Sequence, residues 1–405
     1  MRILIVSAFF PPNIQGGAEL SAFNLAHWLA ARGHEIGVLT TSPTKEDSLD
    51  GERVGEFKVW RIAMPRPYPV FRAMEKRGWQ KLLWHFQDHF DPRNKRIAND
   101  VLDAFRPDLV HIHVLQGLGY NALTAIGRRN IPTVFTLHDL GLACIKLAMF
   151  VDGKECDGQC GACAKSSAVK LRYLRSVPRL GFISPSKANL GRISSLLALD
   201  DYPRVQILNP NSYPAPTVQH KRSDTTRLLY VGRLDESKGI HVLMQALEPL
   251  AKEYNFTLTV VGTGPLADDL AKQYGHHEWL SFTGHVSPQE VANWMAGSDL
   301  LLVPSVWLEN SPGVVIQALG ISLPVMGSDK GGIPELVKDG VNGVLVPPGN
   351  VQAWRAAIKS VLDDPAQLEM YSHNASNMKF EFEQDFLGAR IVEFFERIRG
   401  LPSGE

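Results

Sequence analysis

The chain has 405 residues, enough for two cores, because single hydrophobic cores stop growing at about 250–300 residues. Lysine plus arginine and aspartate plus glutamate number 42 each, so the bulk charge argues against nucleic acid as the main partner. No apolar run is long enough to cross a bilayer, residues 3–10 lack the layout of a signal peptide, and the cysteines are not spread like a secreted disulfide scaffold, so a cytoplasmic protein is expected.

Residues 2–7 form a continuous apolar run of strand length, as in a parallel strand covered on both faces. After Pro11 and Pro12 comes a loop with Gly16 and Gly17, then a helix in which Ala18, Ala22, Leu25, Ala26 and Leu29 share one face until Gly33. Residues 35–40 complete a strand–helix–strand unit. Glycines at its first turn let backbone approach a ligand at the carboxyl edge of the sheet, although Gly16-Gly17 reads equally well as a plain tight turn. Segment 61–96 is basic and aromatic, with nine Lys/Arg against three Asp/Glu and with Phe71, Trp79, Trp84, Phe86 and Phe90 interleaved. Segment 163–187 has six Lys/Arg and no acid. Both segments suit an anionic membrane or an anionic acceptor, and both also suit solvated helix faces whose aromatics lie in the core.

Strands follow at 109–113 and 133–137, the second ending in His138-Asp139. A polar residue at the carboxyl end of a parallel strand points into the ligand crevice of a doubly wound sheet, so His138 is a candidate substrate contact. Cys156, Cys160 and Cys163 have Cys-x3-Cys-x2-Cys spacing, and with Cys144 they could close a tetrahedral zinc site or remain four reduced thiols. Either way they staple a long loop beside the crevice. Strands at 182–186 and 205–210 end this half, and a Pro-, Ser- and Asn-rich linker occupies 209–226.

The second half repeats the architecture. Strand 228–231 runs into a turn carrying Arg233 and Lys238, two cations placed to neutralise a diphosphate. Strand 257–261 ends in Gly262-Thr263-Gly264-Pro265, and strand 280–286 ends at Val286, where a nucleotide base would lie. Strand 300–304 leads to Glu309-Asn310-Ser311-Pro312-Gly313 and a helix beginning near Pro312. Free amides and the helix dipole there favour an anion, although Asn-Ser-Pro alone reads as an ordinary helix cap. Gly331-Gly332-Ile333-Pro334-Glu335 and Asn342-Gly343 follow. Leu387, Ile391, Phe394, Phe395 and Ile398 then make an apolar helical stripe that must pack on something.

In order and spacing, these motifs resemble the retaining glycosyltransferases of family 4. That resemblance implies the α/β GT-B fold, two Rossmann-like doubly wound parallel-sheet domains facing each other across a cleft. It implies an N-terminal acceptor-side domain at 1–208, a linker at 209–226, a nucleotide-sugar-binding domain at 227–380 and a final helix at 381–405 crossing back to the first domain. Glu309 and His138 would contact the donor sugar, and Gly16-Gly17 would close over the diphosphate. Arg233, Lys238 and the segment Asn310, Ser311, Pro312 and Gly313 would hold the phosphates. Gln317 stands where the family has a second glutamate on the nucleotide ribose; the carbonyl acceptor is kept but the charge is lost. The implied activity is transfer of a hexosyl-type sugar from a UDP- or GDP-linked donor to a glycan or lipid-linked acceptor, with retention and no catalytic metal. Gln317 motivates the alternative of a silent nucleotide-sugar-binding subunit, and a sugar-nucleotide epimerase on the same fold is a third reading. Polysaccharide biosynthesis at the inner membrane face is the expected setting, with zinc at the cysteines as a structural option.

Overall fold

The protein is described by a computed structural model that covers all residues except 15, 43–49, 65, 69, 71–77, 152, 220–222 and 403–405. The N-terminal half contributes β1 (Arg2–Ser7), β2 (Glu35–Thr41), β3 (Glu52–Val54), β4 (Phe57–Ile62), β5 (Leu109–Val114) and β6 (Thr133–Thr136). A small hairpin of β7 (Phe150–Val151) and β8 (Lys154–Glu155) and the strands β9 (Leu180–Ser184) and β10 (Arg204–Gln206) complete it. Eight of these form one sheet in the order β10-β9-β6-β5-β1-β2-β4-β3, parallel except for β3 against β4. Its central strands are buried on both faces, which is why their sequences are apolar runs rather than alternations.

The second sheet is wholly parallel. It contains β11 (Thr226–Val231), β12 (Phe256–Val261), β13 (Leu280–Gly284), β14 (Leu300–Val303), β15 (Val325–Ser328) and β16 (Gly343–Val346), in the order β13-β12-β11-β14-β15-β16. In each sheet the strand order reverses beside the first strand, between β1 and β5 and between β11 and β14. Ligands of doubly wound folds sit at such switch points, outside the carboxyl ends of the strands. The fold is thus GT-B-like, two Rossmann-like domains.

Three early helices matter below: α1 (Gly17–Ala30), α2 (Trp79–Phe90) and α3 (Pro92–Phe105). The helix Gln384–Arg399 returns to the N-terminal sheet, where Leu387, Ile391, Phe394, Phe395 and Ile398 join a core with Ile3, Ile5, Trp28 and Val134. Its Gly388 allows that approach, since a Cβ there would lie 2.6 Å from the Trp28 ring. The stretch between the two sheets is not free chain. Thr217 bonds Asn293, Gln289 bonds the Ala215 carbonyl, and Tyr213 packs into the second domain's core.

Candidate active site

At the switch point of the second sheet, the turn after β11 brings in Lys238 and the loop after β14 brings in Glu309. They form an ion pair at 2.6 Å, and Ser305 donates to the same carboxylate oxygen at 2.7 Å. Burial, the largest single influence, would raise the Glu309 carboxyl, but the adjacent Lys238 ammonium together with hydrogen bonds from Trp307 and Ser305 outweighs it and holds the group below the usual carboxylate range. Lys238 also lies over the Trp307 ring, 4.9 Å from its centre. A cation placed for a phosphate is therefore engaged by a carboxylate in this structure. Arg233 is about half exposed and pairs with Asp235 at 3.3 Å.

The helix Gly313–Gly320 starts one residue later than its sequence suggests, with Pro312 at the cap, and no side chain caps it. Asn310 and Ser311 do other things. The Asn310 amide donates to the carbonyls of Leu137 and His138 at 2.9 Å each and accepts from Ser186 at 2.7 Å, so its side chain ties the two domains together. The Ser311 hydroxyl is buried and has no partner among the described residues. The first amides of the helix and the Ser311 hydroxyl thus remain available to a ligand. Gln317, one turn in, is buried, and Val286 is partly buried against the core to which Val315 and Ile316 belong. Gly313 lies under the Tyr213 hydroxyl, where an added Cβ would meet that oxygen at 2.9 Å.

Facing this from the N-terminal sheet are Gly17, His138 and Asp139, which share with Glu309, Asn310, Ser311 and Trp307 the walls of a cavity of about 200 Å³. Gly16 precedes α1 and donates its N–H to Glu19 at 2.9 Å, so a buried carboxylate from the first turn holds the loop. His138 bonds His113 at 2.8 Å through Nε2. The structure thus brings together Gly17, His138, Lys238, Glu309, Asn310, Ser311 and the start of the Gly313–Gly320 helix. Gln317 lies further along that helix, and Arg233 and Val286 lie on neighbouring elements of the second domain.

Glu19, His113, Ser186 and Glu335 were not singled out by the sequence. Glu335 ends the Gly-Gly-Ile-Pro-Glu motif and accepts the backbone N–H groups of Lys187 and Ala188 at 2.8 Å each. It thereby caps the N-terminal-domain helix Lys187–Leu197 from the opposite domain. The spacing of its motif hinted at importance; its partner lies 148 residues away and could not be read.

The cysteines lie apart from this cavity's reactive wall. Cys144 and Cys163 approach to 3.9 Å, Cys156 and Cys163 pack against the N-terminal core, and Cys160 is exposed at the start of the helix Gly161–Leu174. All four are free, and among the described residues no group of three or more His, Cys, Asp or Glu is arranged to hold a metal ion. The four-thiolate arrangement is not assembled in this structure.

Two facing Rossmann-like domains, with an uncapped helix and the Lys238–Glu309 ion pair at the switch point of one sheet and His138 beyond the end of β6 in the other, have the GT-B arrangement that the resemblance implies. Two family models match in tandem, one described as Glycosyltransferase Family 4 over residues 15–154 and one as Glycosyl transferases group 1 over residues 215–378. The chain belongs to the GT-B glycosyltransferases of this family-4 type. It is 28% identical over 383 residues to a glycogen synthase of Mycobacterium tuberculosis, across 90% of this chain and 87% of that protein. Sucrose-phosphate synthase from Thermosynechococcus elongatus superposes with a TM-score of 0.73 at 20% identity, covering 98% of both chains. HepE of Anabaena, solved with UDP and glucose, gives 0.65 at 18% identity, over 98% of this chain and 100% of that one.

Proposed function

We propose that the protein transfers a hexosyl-type sugar from a nucleotide-diphosphate donor to a glycan or lipid-linked acceptor with retention of configuration. The observation that carries this reading is the cavity in which Glu309, Asn310 and Ser311, just before the uncapped helix, face His138 and Gly17, with Lys238 beside Glu309. Breaking a glycosyl phosphate develops negative charge on the leaving diphosphate and positive charge on the sugar. Lys238, Arg233 and the helix amides would stabilise the first, and Glu309 would orient the sugar and offset the second. The acceptor hydroxyl would attack from the face the diphosphate leaves, with a departing phosphate oxygen taking its proton. HepE, with its bound UDP and glucose, supports a nucleotide-linked donor for this fold. No step runs through a metal.

The setting we infer is the anionic inner face of a membrane. No helix among the described residues is long and apolar enough to cross one, so the contact would be peripheral, through the outward face of α2.

Release of UDP or GDP from a panel of nucleotide sugars, with and without glycan and lipid-linked acceptors, tests the reading. Acceptor-dependent release is expected, falling at least about a hundredfold in Glu309→Gln, the usual size of a lost charge-stabilising contact. Nucleotide-sugar binding with neither transfer nor hydrolysis would replace it with the silent-subunit reading that Gln317 motivates. Interconversion of donors without acceptor would replace it with an epimerase.

A further inference from the structure

Behind His138 the N-terminal sheet carries two more imidazoles. His111 and His113 are two residues apart on β5, so they project from the same face of the sheet, and both are buried. Thr136, at the end of β6, lies beside them. The contacts run in series: Thr136 Oγ1 to His111 Nε2 at 2.8 Å, His111 Nδ1 to His113 Nε2 at 3.2 Å, and His113 Nδ1 to His138 Nε2 at 2.8 Å. The His113 and His138 rings are tilted by only 20° with centroids 5.1 Å apart. Two imidazoles joined edge to edge through a short in-plane N–H···N bond have this geometry; stacked rings would be closer. The His111 and His113 rings are tilted by 53° with centroids only 4.1 Å apart, closer than an in-plane link would place them, so this 3.2 Å contact is the most bent and the weakest of the three.

Burial keeps these rings neutral. It holds His111 and His138 at about 3 and pushes His113 well below the ordinary histidine value. A neutral imidazole has one N–H and one bare nitrogen, so each link in such a series dictates the next and only two arrangements exist. The Thr136 hydroxyl chooses between them. Its only side-chain partner among the described residues is His111, and it is buried. If His111 donated to it, the hydroxyl proton would have no acceptor, at a cost of about 1–3 kcal/mol. Thr136 therefore donates to His111 Nε2, His111 Nδ1–H to His113 Nε2, and His113 Nδ1–H to His138 Nε2. His138 is left with its proton on Nδ1, which has no partner among the described residues, on a residue that lines the cavity.

We propose that His113 is a positioning residue that locks His138 as the Nδ1–H tautomer, so that His138 offers the cleft a hydrogen-bond donor. The ligand atom opposite it must then accept, as a sugar hydroxyl oxygen, a carboxylate or a phosphate oxygen does. A substrate presenting only N–H groups there would meet donor against donor and be discriminated against. This rests on the reading of His138 as a contact to the donor sugar.

Long-range proton–nitrogen correlation spectra of the full chain, with ring-labelled histidine and His138→Gln for assignment, read the tautomer without any sugar present. A protonated Nδ1 and a bare Nε2 on His138 are expected; a protonated Nε2 overturns the proposal. In His113→Leu the His138 ring should show both tautomers and KM for the nucleotide sugar should rise about tenfold. His113→Asn, whose amide can donate from near the Nδ1 position, should restore both. An unchanged His138 spectrum in His113→Leu also overturns the proposal. If the wild-type protein turns over no nucleotide sugar, the proposed function fails while the spectrum still decides the tautomer.

Discussion

Lys238 and Glu309 show what a residue can and cannot announce. Each stands at the end of a strand in a motif, so their arrival at one crevice is legible from the alternation of apolar runs and glycine turns. Their mutual contact is not, because the two residues are 71 apart and meet only through the sheet order. The pair neutralises a buried carboxylate, and a bound diphosphate would compete for the same ammonium. Lys238→Met should therefore weaken nucleotide binding at least about tenfold, or ~1.4 kcal/mol. It should also push the Glu309 carboxyl upward, because burial would then act unopposed by the ammonium. Calorimetric titration with UDP and GDP measures the first effect, and an unchanged dissociation constant would remove Lys238 from the phosphate site. His113 and Glu335 illustrate the opposite limit. Their chemistry lies in a partner's tautomer and in a helix terminus of the other domain, neither of which leaves a local pattern.

At the scale of elements, the basic and aromatic stretches separate into different kinds of surface. On α2, Trp84 is buried and bonds the Tyr68 carbonyl, while Trp79, Leu82, Leu83, Phe86 and Phe90 are exposed along one helical face, Leu82 at 74% and Trp79 at 70%. Asp88 is turned inward against Arg66, and Asp91 is buried between Arg66 and Arg93, so the exposed charge on α2 itself is Lys81. An apolar stripe with an exposed cation and no exposed acid suits an anionic bilayer surface. The stretch 163–187 lacks such a face: Leu174 and Val177 are buried and no large apolar side chain is exposed there among the described residues. Leu82→Asp/Phe86→Asp should cut sedimentation with phosphatidylglycerol-containing vesicles at least about fivefold while sparing turnover of a soluble acceptor. Equal sedimentation of wild type and variant would remove α2 from the membrane contact, and loss of a dimer in the variant would reassign the face to a second copy. The sequence marked this stretch as mixed, but only the packing of Trp84 and Asp88 shows which residues were left outside. By contrast β4 (Phe57–Ile62) carries no clean alternation, with Lys58 alone fully exposed among buried neighbours, and its place beside β2 is set by the sheet.

The two halves look alike as strand and glycine-turn repeats, which is why the fold class can be read from the chain, yet their interiors differ in chemistry. The N-terminal domain buries ionisable groups: His111 is held at about 3, His89 at about 4 and His113 well down, while burial lifts Asp88 to about 6. The second domain's principal buried carboxylate, Glu309, is instead held down by its ammonium, so it stays ionised above the ordinary glutamate value. These shifts fix the sign of the pH response. Unfolded histidine takes a proton near about 6.5 and these folded histidines do not, so below that pH the unfolded chain binds more protons and stability falls as pH falls. Each histidine contributes about 1.4 kcal/mol per pH unit until its own folded value is reached. Asp88 acts in the opposite sense, since the folded state takes its proton first as pH falls from about 6 toward the ordinary carboxylate value. The histidines begin earlier and outnumber it, so the net effect is loss. Scanning calorimetry from pH 7.5 to 5 should show the melting temperature falling, with the drop carried by the N-terminal domain if the two domains melt separately. His111→Asn should flatten the slope by about one histidine's share. An identical pH slope in wild type and His111→Asn would mean that the His111 imidazole is protonated in the folded protein as readily as in the unfolded chain, and the neutral series behind His138 would fall with it.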